Sequence, residues 1–190
     1  TKSNEDILEA YHAGQRLFGE NKVQELVAKA ESLPTDIEWH YIGHLQSNKV
    51  KYIAPFVNLI HAVDSFKLLK EINKQAQKNN RILQVLLQFH IAEEDTKFGL
   101  DMEEADSLLI QLESSAFENV KIIGVMGMAT YTDDQEQIRA EFVRLKSFFE
   151  DLKKKYFAQD DSFKEISMGM SGDYTIAIEE GSTMIRVGSS

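Results

Sequence analysis

A short stretch decides the fold of this chain: Ile82-Leu83-Gln84-Val85-Leu86-Leu87. It is almost continuously apolar, with Gln84 as its only polar residue. A strand with one face in water alternates apolar and polar residues, whereas a strand of a parallel sheet is covered on both faces and does not alternate. The stretch therefore predicts a buried strand in a parallel sheet.

Outward from this stretch, short apolar runs alternate with longer amphipathic segments. The runs predict seven strands, at residues 16–18, 40–42, 59–62, 82–89, 121–126, 165–168 and 184–187. The clearest helical stripe consists of Ile138, Phe142, Leu145, Phe149 and Leu152. This alternation predicts an α/β fold of parallel strands joined by right-handed crossovers, in one domain of residues 1–190. A doubly wound sheet and a (β/α) barrel both fit it.

The first helix is predicted to begin at the chain's start, with Asn4 as its N-cap and Ile7, Leu8 and Tyr11 on its buried side. The chain ends directly after a predicted strand. A closed barrel of eight strands would therefore need one strand more than the seven predicted here.

Composition narrows the possible functions. The net charge of −10 disfavours binding to nucleic-acid phosphates. The absence of cysteine excludes disulfides and thiolate metal sites, and no metal site is predicted. No apolar run approaches the roughly 20 residues that span a bilayer, and the N-terminus does not resemble a signal peptide. These features predict a cytoplasmic protein without a membrane partner.

Two glycine- and serine-containing segments follow the last two predicted strands. They are Met-Gly-Met-Ser-Gly-Asp at 168–173 and Arg-Val-Gly-Ser-Ser at 186–190. Ligands of parallel α/β folds bind at the carboxyl ends of strands. Glycines allow backbone N–H groups to approach an anion, serine hydroxyls add donors, and the helix expected after Ser171 would begin at the same place. Together the segments predict a phosphate site.

Arg186 lies inside the apolar strand Met184-Ile185-Arg186-Val187. A guanidinium keeps its charge, so its burial without an acceptor is costly. Two interpretations are open. Arg186 forms an ion pair with a carboxylate in the barrel interior, or it donates to a ring nitrogen or carboxylate of a ligand.

Three blocks of the sequence resemble the signature segments of the pyridoxal phosphate homeostasis proteins, which are single-domain relatives of the alanine racemase barrel. The blocks are Phe-Gly-Glu-Asn-Lys-Val-Gln-Glu at 18–25, Trp-His-Tyr-Ile-Gly-His-Leu-Gln-Ser-Asn-Lys at 39–49, and the segments 169–173 and 181–188. The resemblance implies an alanine-racemase-like (β/α)8 TIM barrel, pyridoxal 5′-phosphate as cofactor and a cytoplasmic setting.

The resemblance also implies roles for individual residues. Arg186 would be the partner of the pyridine nitrogen, and Asn21 would lie near the ring. His40 would lie inside the barrel, where packing and a cofactor contact are both open. The expected phosphate-binding residues are Ser171, Gly188 and Ser189, with Gly169 and Met170 lining the phosphate loop.

One departure concerns the lysine that forms the Schiff base. In the family it precedes a Thr-Lys pair on the first strand, and this chain begins at Thr1-Lys2. The lysine is therefore expected upstream of Thr1, and the family's final segment is expected beyond Ser190. Neither Lys2, Lys49 nor Lys97 is predicted to replace it.

An arginine at the pyridine nitrogen only donates hydrogen bonds, which weakens the cofactor as an electron sink. The sequence therefore predicts a protein that carries or buffers pyridoxal phosphate, with PLP-requiring apo-enzymes as possible recipients and no established catalytic activity. The alternative is a minimal amino-acid racemase-like enzyme, for which Tyr174 is the best candidate for a second base.

Overall fold

The computed structural model describes residues 2–95 and 98–188. In that part of the chain, strands alternate with helices. The strands are β1 (Leu17–Glu20), β2 (Glu38–Tyr41), β3 (Leu59–Val63), β4 (Leu83–Phe89), β5 (Val120–Gly127), β6 (Glu165–Met170) and β7 (Met184–Arg186). The helices are α1 (Asn4–His12), α2 (Val23–Ser32), α3 (Val50–Ile53), α4 (Phe66–Lys78), α5 (Met102–Glu113), α6 (Gln135–Tyr156) and α7 (Tyr174–Glu179).

The seven predicted strands are confirmed, and every boundary lies within two residues of its predicted position. In β4, which contains most of the stretch that decides the fold, residues 85–89 are all buried. Apolar burial on both faces of a strand is the arrangement that a parallel sheet under helices requires. The apolar run was therefore a sufficient signal.

The order of the strands distinguishes the two folds that the alternation left open. All neighbouring pairs are parallel, and the order in the sheet is the order in the chain, from β1 to β7. A doubly wound sheet reverses its strand order at a switch point, whereas a barrel does not. The fold is therefore a (β/α) barrel.

A contact across the sheet demonstrates how strongly it curves. Parallel strands are spaced about 4.8 Å apart, so β3 and β6 would be separated by roughly 14 Å if the sheet were flat. The Nδ1 atom of His61 on β3 nevertheless lies 2.9 Å from the Oγ atom of Ser167 on β6. The seven strands therefore form a nearly closed barrel with a packed interior.

Helix packing follows the predicted stripes. On α6, Ile138, Phe142, Leu145 and Leu152 are buried against the barrel. Transfer of such side chains from water contributes about 1.5–3 kcal/mol each, so this stripe holds α6 against the sheet. None of the described helices is long and apolar enough to cross a bilayer.

The predicted cap of the first helix is wrong by one residue. The N-cap of α1 is Ser3, and Asn4 is the first helical residue. The Ser3 hydroxyl accepts a hydrogen bond from the Asp6 backbone N–H, and the Asp6 carboxylate accepts one from the Ser3 backbone N–H. This capping box satisfies two backbone donors at once, which Asn4 at the cap would not achieve with its own third neighbour, Ile7.

Candidate functional site

The side chain of Arg186 points into the barrel. One terminal nitrogen donates a hydrogen bond to the Ser167 hydroxyl, and the other donates to the Gly127 carbonyl at 3.2 Å. Burial lowers the pKa of Arg186 to about 10, which leaves the group protonated at neutral pH. None of the ion pairs among residues 2–95 and 98–188 includes it.

The interpretation of Arg186 as a member of an interior ion pair is therefore wrong for the described residues. Its two described acceptors are uncharged, and Asp173 acts on it only as a more distant negative charge. A guanidinium carries five N–H donors, so several remain available after these two hydrogen bonds. The arrangement leaves a positive charge and unused N–H donors inside the barrel.

Arg186 is connected to His40 by two residues that the sequence did not indicate. The Nδ1 atom of His61 lies 2.9 Å from Ser167 Oγ, and its Nε2 atom lies 3.0 Å from His40 Nδ1. Ser167 is fully buried and His61 almost fully. The sequence signal that could have found His61 is a polar residue inside an otherwise apolar strand, Leu59–Val63.

Both imidazoles are neutral in this environment. Burial lowers the pKa of His40 to about 4. The pKa of His61 lies well below its ordinary value, mainly because of burial and additionally because His40 and the positive Arg186 lie close to it. A neutral imidazole has one donor and one acceptor nitrogen. The contacts among His40, His61 and Ser167 therefore allow only a few placements of the ring protons.

The loops after β6 and β7 meet at the predicted phosphate site. The Gly188 backbone N–H donates to the Ser171 hydroxyl at 3.1 Å, and Met170 pairs with Arg186 in the sheet. The Met170 backbone N–H donates a hydrogen bond to the Asp173 carboxylate at 2.6 Å, and the Met170 side chain is exposed. Ser189, the remaining predicted phosphate contact, lies outside the described residues.

Gly169 is required by the backbone at this point. Its φ of +100° is unfavourable for residues that have a side chain. A Cβ atom there would lie 2.6 Å from the Cβ of Ala177 on α7, inside the van der Waals limit. The glycine therefore allows α7 to pack directly on β6, and it places the following loop.

Asn21 lies at the carboxyl end of β1, at the same mouth of the barrel but in a separate cleft. It is exposed, and its carbonyl accepts a hydrogen bond from the Tyr41 hydroxyl at 3.2 Å. The cleft has a volume of about 270 Å³ and is lined by Asn21, Lys22, Val23, Gln24, Tyr41, His44, Gln46 and Lys49. Two of the signature blocks thus share one cleft, and the described contacts do not join it to Arg186.

Tyr174 is the first residue of α7, as expected, and its side chain is 40% exposed. Lys97 lies outside the described residues. Within residues 2–95 and 98–188, no group of three histidine, aspartate or glutamate side chains could hold a metal ion. The chemistry at the mouth of the barrel therefore depends on Arg186, the polar residues behind it and the two loops.

Comparison with known proteins identifies the class. The chain belongs to the alanine racemase N-terminal domain family, whose model matches residues 4–190. Among the curated relatives is the pyridoxal phosphate homeostasis protein of Aquifex aeolicus, which is 41% identical over 186 residues that cover 97% of this chain and 79% of the relative. The resemblance seen in the three sequence blocks is thereby confirmed.

Solved structures agree with this assignment. PipY of Synechococcus elongatus, solved without PLP, superposes with a TM-score of 0.90 at 36% identity and covers 98% of this chain and 86% of its own. The same protein solved with PLP bound gives a TM-score of 0.85 at 36% identity, covering 98% and 85% of the two chains. An alanine racemase of Streptomyces coelicolor, at 13% identity and a TM-score of 0.72, shares the fold.

Proposed function

We propose that this protein binds pyridoxal 5′-phosphate at the carboxyl ends of its barrel strands and acts in homeostasis of the cofactor, as a carrier or buffer. The observation that carries the proposal is Arg186, a charged guanidinium inside the barrel with uncharged acceptors and spare donors. The names of the relatives support the same ligand, since they are called pyridoxal phosphate homeostasis proteins.

The residues present fit this cofactor. In the proposed arrangement Arg186 donates to the pyridine nitrogen, and the phosphate is bound by Ser171, Gly188 and Ser189. The Ser171–Gly188 hydrogen bond supports this proposal, because it brings a hydroxyl and a backbone N–H together just beyond the paired residues Met170 and Arg186. Gly169 and Met170 would line the phosphate loop, and Asn21 and His40 would lie near the ring.

When bound, pyridoxal phosphate supplies an electron sink for reactions of amino acids, which is strongest when its pyridine nitrogen is protonated. Arg186 holds its own protons, because a pKa of about 10 lies well above neutral pH. It therefore acts only as a donor and keeps a proton off the pyridine nitrogen that faces it. This favours retention of the cofactor over catalysis.

We further propose that the recipients of the cofactor are PLP-requiring apo-enzymes in the cytoplasm. Residues 1–190 would form one domain, since a single hydrophobic cluster extends from Ile7 on α1 to Ala177 on α7. Catalytic turnover of amino acids is not expected, because Tyr174 begins an exposed helix end and no described contact directs its hydroxyl toward Arg186.

Equilibrium dialysis of the chain against pyridoxal phosphate tests the proposal. Pyridoxal without the phosphate and inorganic phosphate alone serve as comparison ligands. We expect saturable binding of pyridoxal phosphate with one molecule per chain, at least about tenfold tighter than pyridoxal. Binding that rises linearly with concentration, as for random reaction with surface lysines, would overturn the proposal.

A further inference from the structure

Four side chains inside the barrel form one continuous line of hydrogen bonds. It runs from Arg186 on β7 through Ser167 on β6 and His61 on β3 to His40 on β2. The line begins at the residue that carries the proposed function and crosses the interior. Ser167 and His61 make no described contact with the loops of the phosphate site, so their role there can only be indirect.

The direction of donation follows from the chemistry of the four groups. Arg186 has donors only, so the Ser167 oxygen accepts from it. Ser167 is fully buried, and the one described group that can accept its hydroxyl hydrogen is His61 Nδ1. A buried hydroxyl hydrogen without an acceptor is costly, so Ser167 donates and His61 Nδ1 accepts.

The remaining protons are then determined. His61 has its proton on Nε2 and donates it to His40 Nδ1 at 3.0 Å. His40 consequently has its own proton on Nε2, for which no described residue is an acceptor. His40 is buried overall, but this nitrogen is not completely enclosed by the described residues and retains some contact with solvent. The line therefore ends in an N–H donor that can be reached.

We infer that Ser167 and His61 are positioning residues of the proposed cofactor site. They hold the Arg186 guanidinium in place and set both histidines in the Nε2–H tautomer. His40 thereby presents a second donor to the ligand. The ligand part of this inference rests on the proposed function. The tautomers do not, because they follow from the hydrogen bonds alone.

The first test needs no ligand. Two-dimensional ¹H–¹⁵N spectroscopy of the chain with ¹⁵N-labelled histidine distinguishes the tautomers, and His40→Gln and His61→Gln assign the two signals. We expect neutral rings with unprotonated, hydrogen-bonded Nδ1 atoms at neutral pH, and a slowly exchanging Nε2–H proton on His61. A proton on Nδ1 of either ring, or a doubly protonated ring, would overturn the inference.

The second test concerns Arg186. Removal of the hydroxyl in Ser167→Ala should weaken binding of pyridoxal phosphate about tenfold, the size expected for one hydrogen bond to a charged group. Ser167→Thr, which restores a hydroxyl, should recover most of that loss. Ser162→Ala removes a hydroxyl that is bonded to Asp160 in the segment before β6, and it should leave affinity unchanged.

The outcomes separate the two proposals. If the unmodified chain does not bind pyridoxal phosphate, the proposed function fails, and the tautomers alone decide the inference. If the chain binds but Ser167→Ala binds equally well, the positioning role is refuted. Should Ser167→Ala fail to fold, as seen by circular dichroism, the tautomer measurement on the unmodified chain still confirms or refutes the hydrogen-bond line.

Discussion

The backbone N–H of Gly188 donates a hydrogen bond to the hydroxyl of Ser171 at 3.1 Å, and this contact joins the loops that follow β6 and β7. The backbone N–H and the hydroxyl are both groups that can donate to a phosphate oxygen. The contact therefore brings together two of the groups to which the phosphate is proposed to bind.

Ser171→Ala should accordingly lower the affinity for pyridoxal phosphate by about tenfold, because one donor to a charged group is lost. Affinity for pyridoxal, which has no phosphate, should not change. Equilibrium dialysis with both ligands measures the difference. An equal loss for the two ligands would place Ser171 away from the phosphate.

Arg186→Gln should weaken retention of pyridoxal phosphate by about tenfold or more without unfolding the protein. The glutamine amide fills much of the same volume but is a weaker, uncharged donor. The matched control is Arg16→Gln, since Arg16 is a half-buried arginine before β1 that lies outside the barrel interior and pairs with Asp36 at 3.1 Å. Unchanged affinity together with a large loss in thermal stability would instead make Arg186 a structural residue.

The cofactor-loaded protein should not turn over single amino acids at the rates of enzymes, roughly 1 to 1,000 per second. The reason is the arginine donor at the proposed ring nitrogen. The turnover rate is measured by incubation with L- and D-amino acids, followed by chiral analysis and keto-acid detection. Turnover in that range would favour the racemase-like alternative, and Tyr174→Phe would then be the first variant to examine.

Gly169→Ala should destabilise the fold by about 3 kcal/mol, from an unfavourable positive φ and a clash with Ala177. Gly172→Ala, three residues later, is the control, because its Cβ would meet no atom within 4 Å and its φ is not positive. It should change the free energy of unfolding by less than about 0.5 kcal/mol. Urea denaturation measures both, and equal losses would contradict the packing argument.

Stability should fall as the pH drops from about 6.5 toward 4. The unfolded chain takes up a proton at His40 near its ordinary pKa of about 6.5, whereas the folded protein resists protonation until about pH 4. The unfolded state therefore binds more protons in this window and gains relative stability, by up to about 3 kcal/mol for this residue.

His40→Gln should make the pH dependence of the free energy of unfolding shallower in that window, and the part that comes from the buried His61 should remain. His12→Gln, at an exposed position in the last turn of α1, should leave it unchanged. Urea denaturation at a series of pH values from 7.5 to 4.5 provides the comparison. Parallel curves for the unmodified chain and His40→Gln would contradict the lowered pKa.

The strands could be predicted because burial on both faces leaves a continuous apolar run, as in β4. Arg186 could be singled out because a charge in such a run needs an acceptor. The partners of Arg186 could not be predicted, since Ser167 and His61 meet only through curvature of the sheet, which no local spacing encodes. The predicted N-cap is wrong by one residue because serine and asparagine are both good N-caps. Ser3 is the cap because the Asp6 carboxylate, three residues later, accepts a hydrogen bond from its backbone N–H.

The contact between His61 and Ser167 spans 106 residues of sequence. Loop closure over such a distance is entropically expensive, and it is favourable only when the intervening strands and helices are already in place. We therefore expect the polar line behind Arg186 to be assembled late in folding, after most of the core. A partly folded chain has no such line, so a ligand that needs it binds only the completed barrel and raises the stability of that state alone.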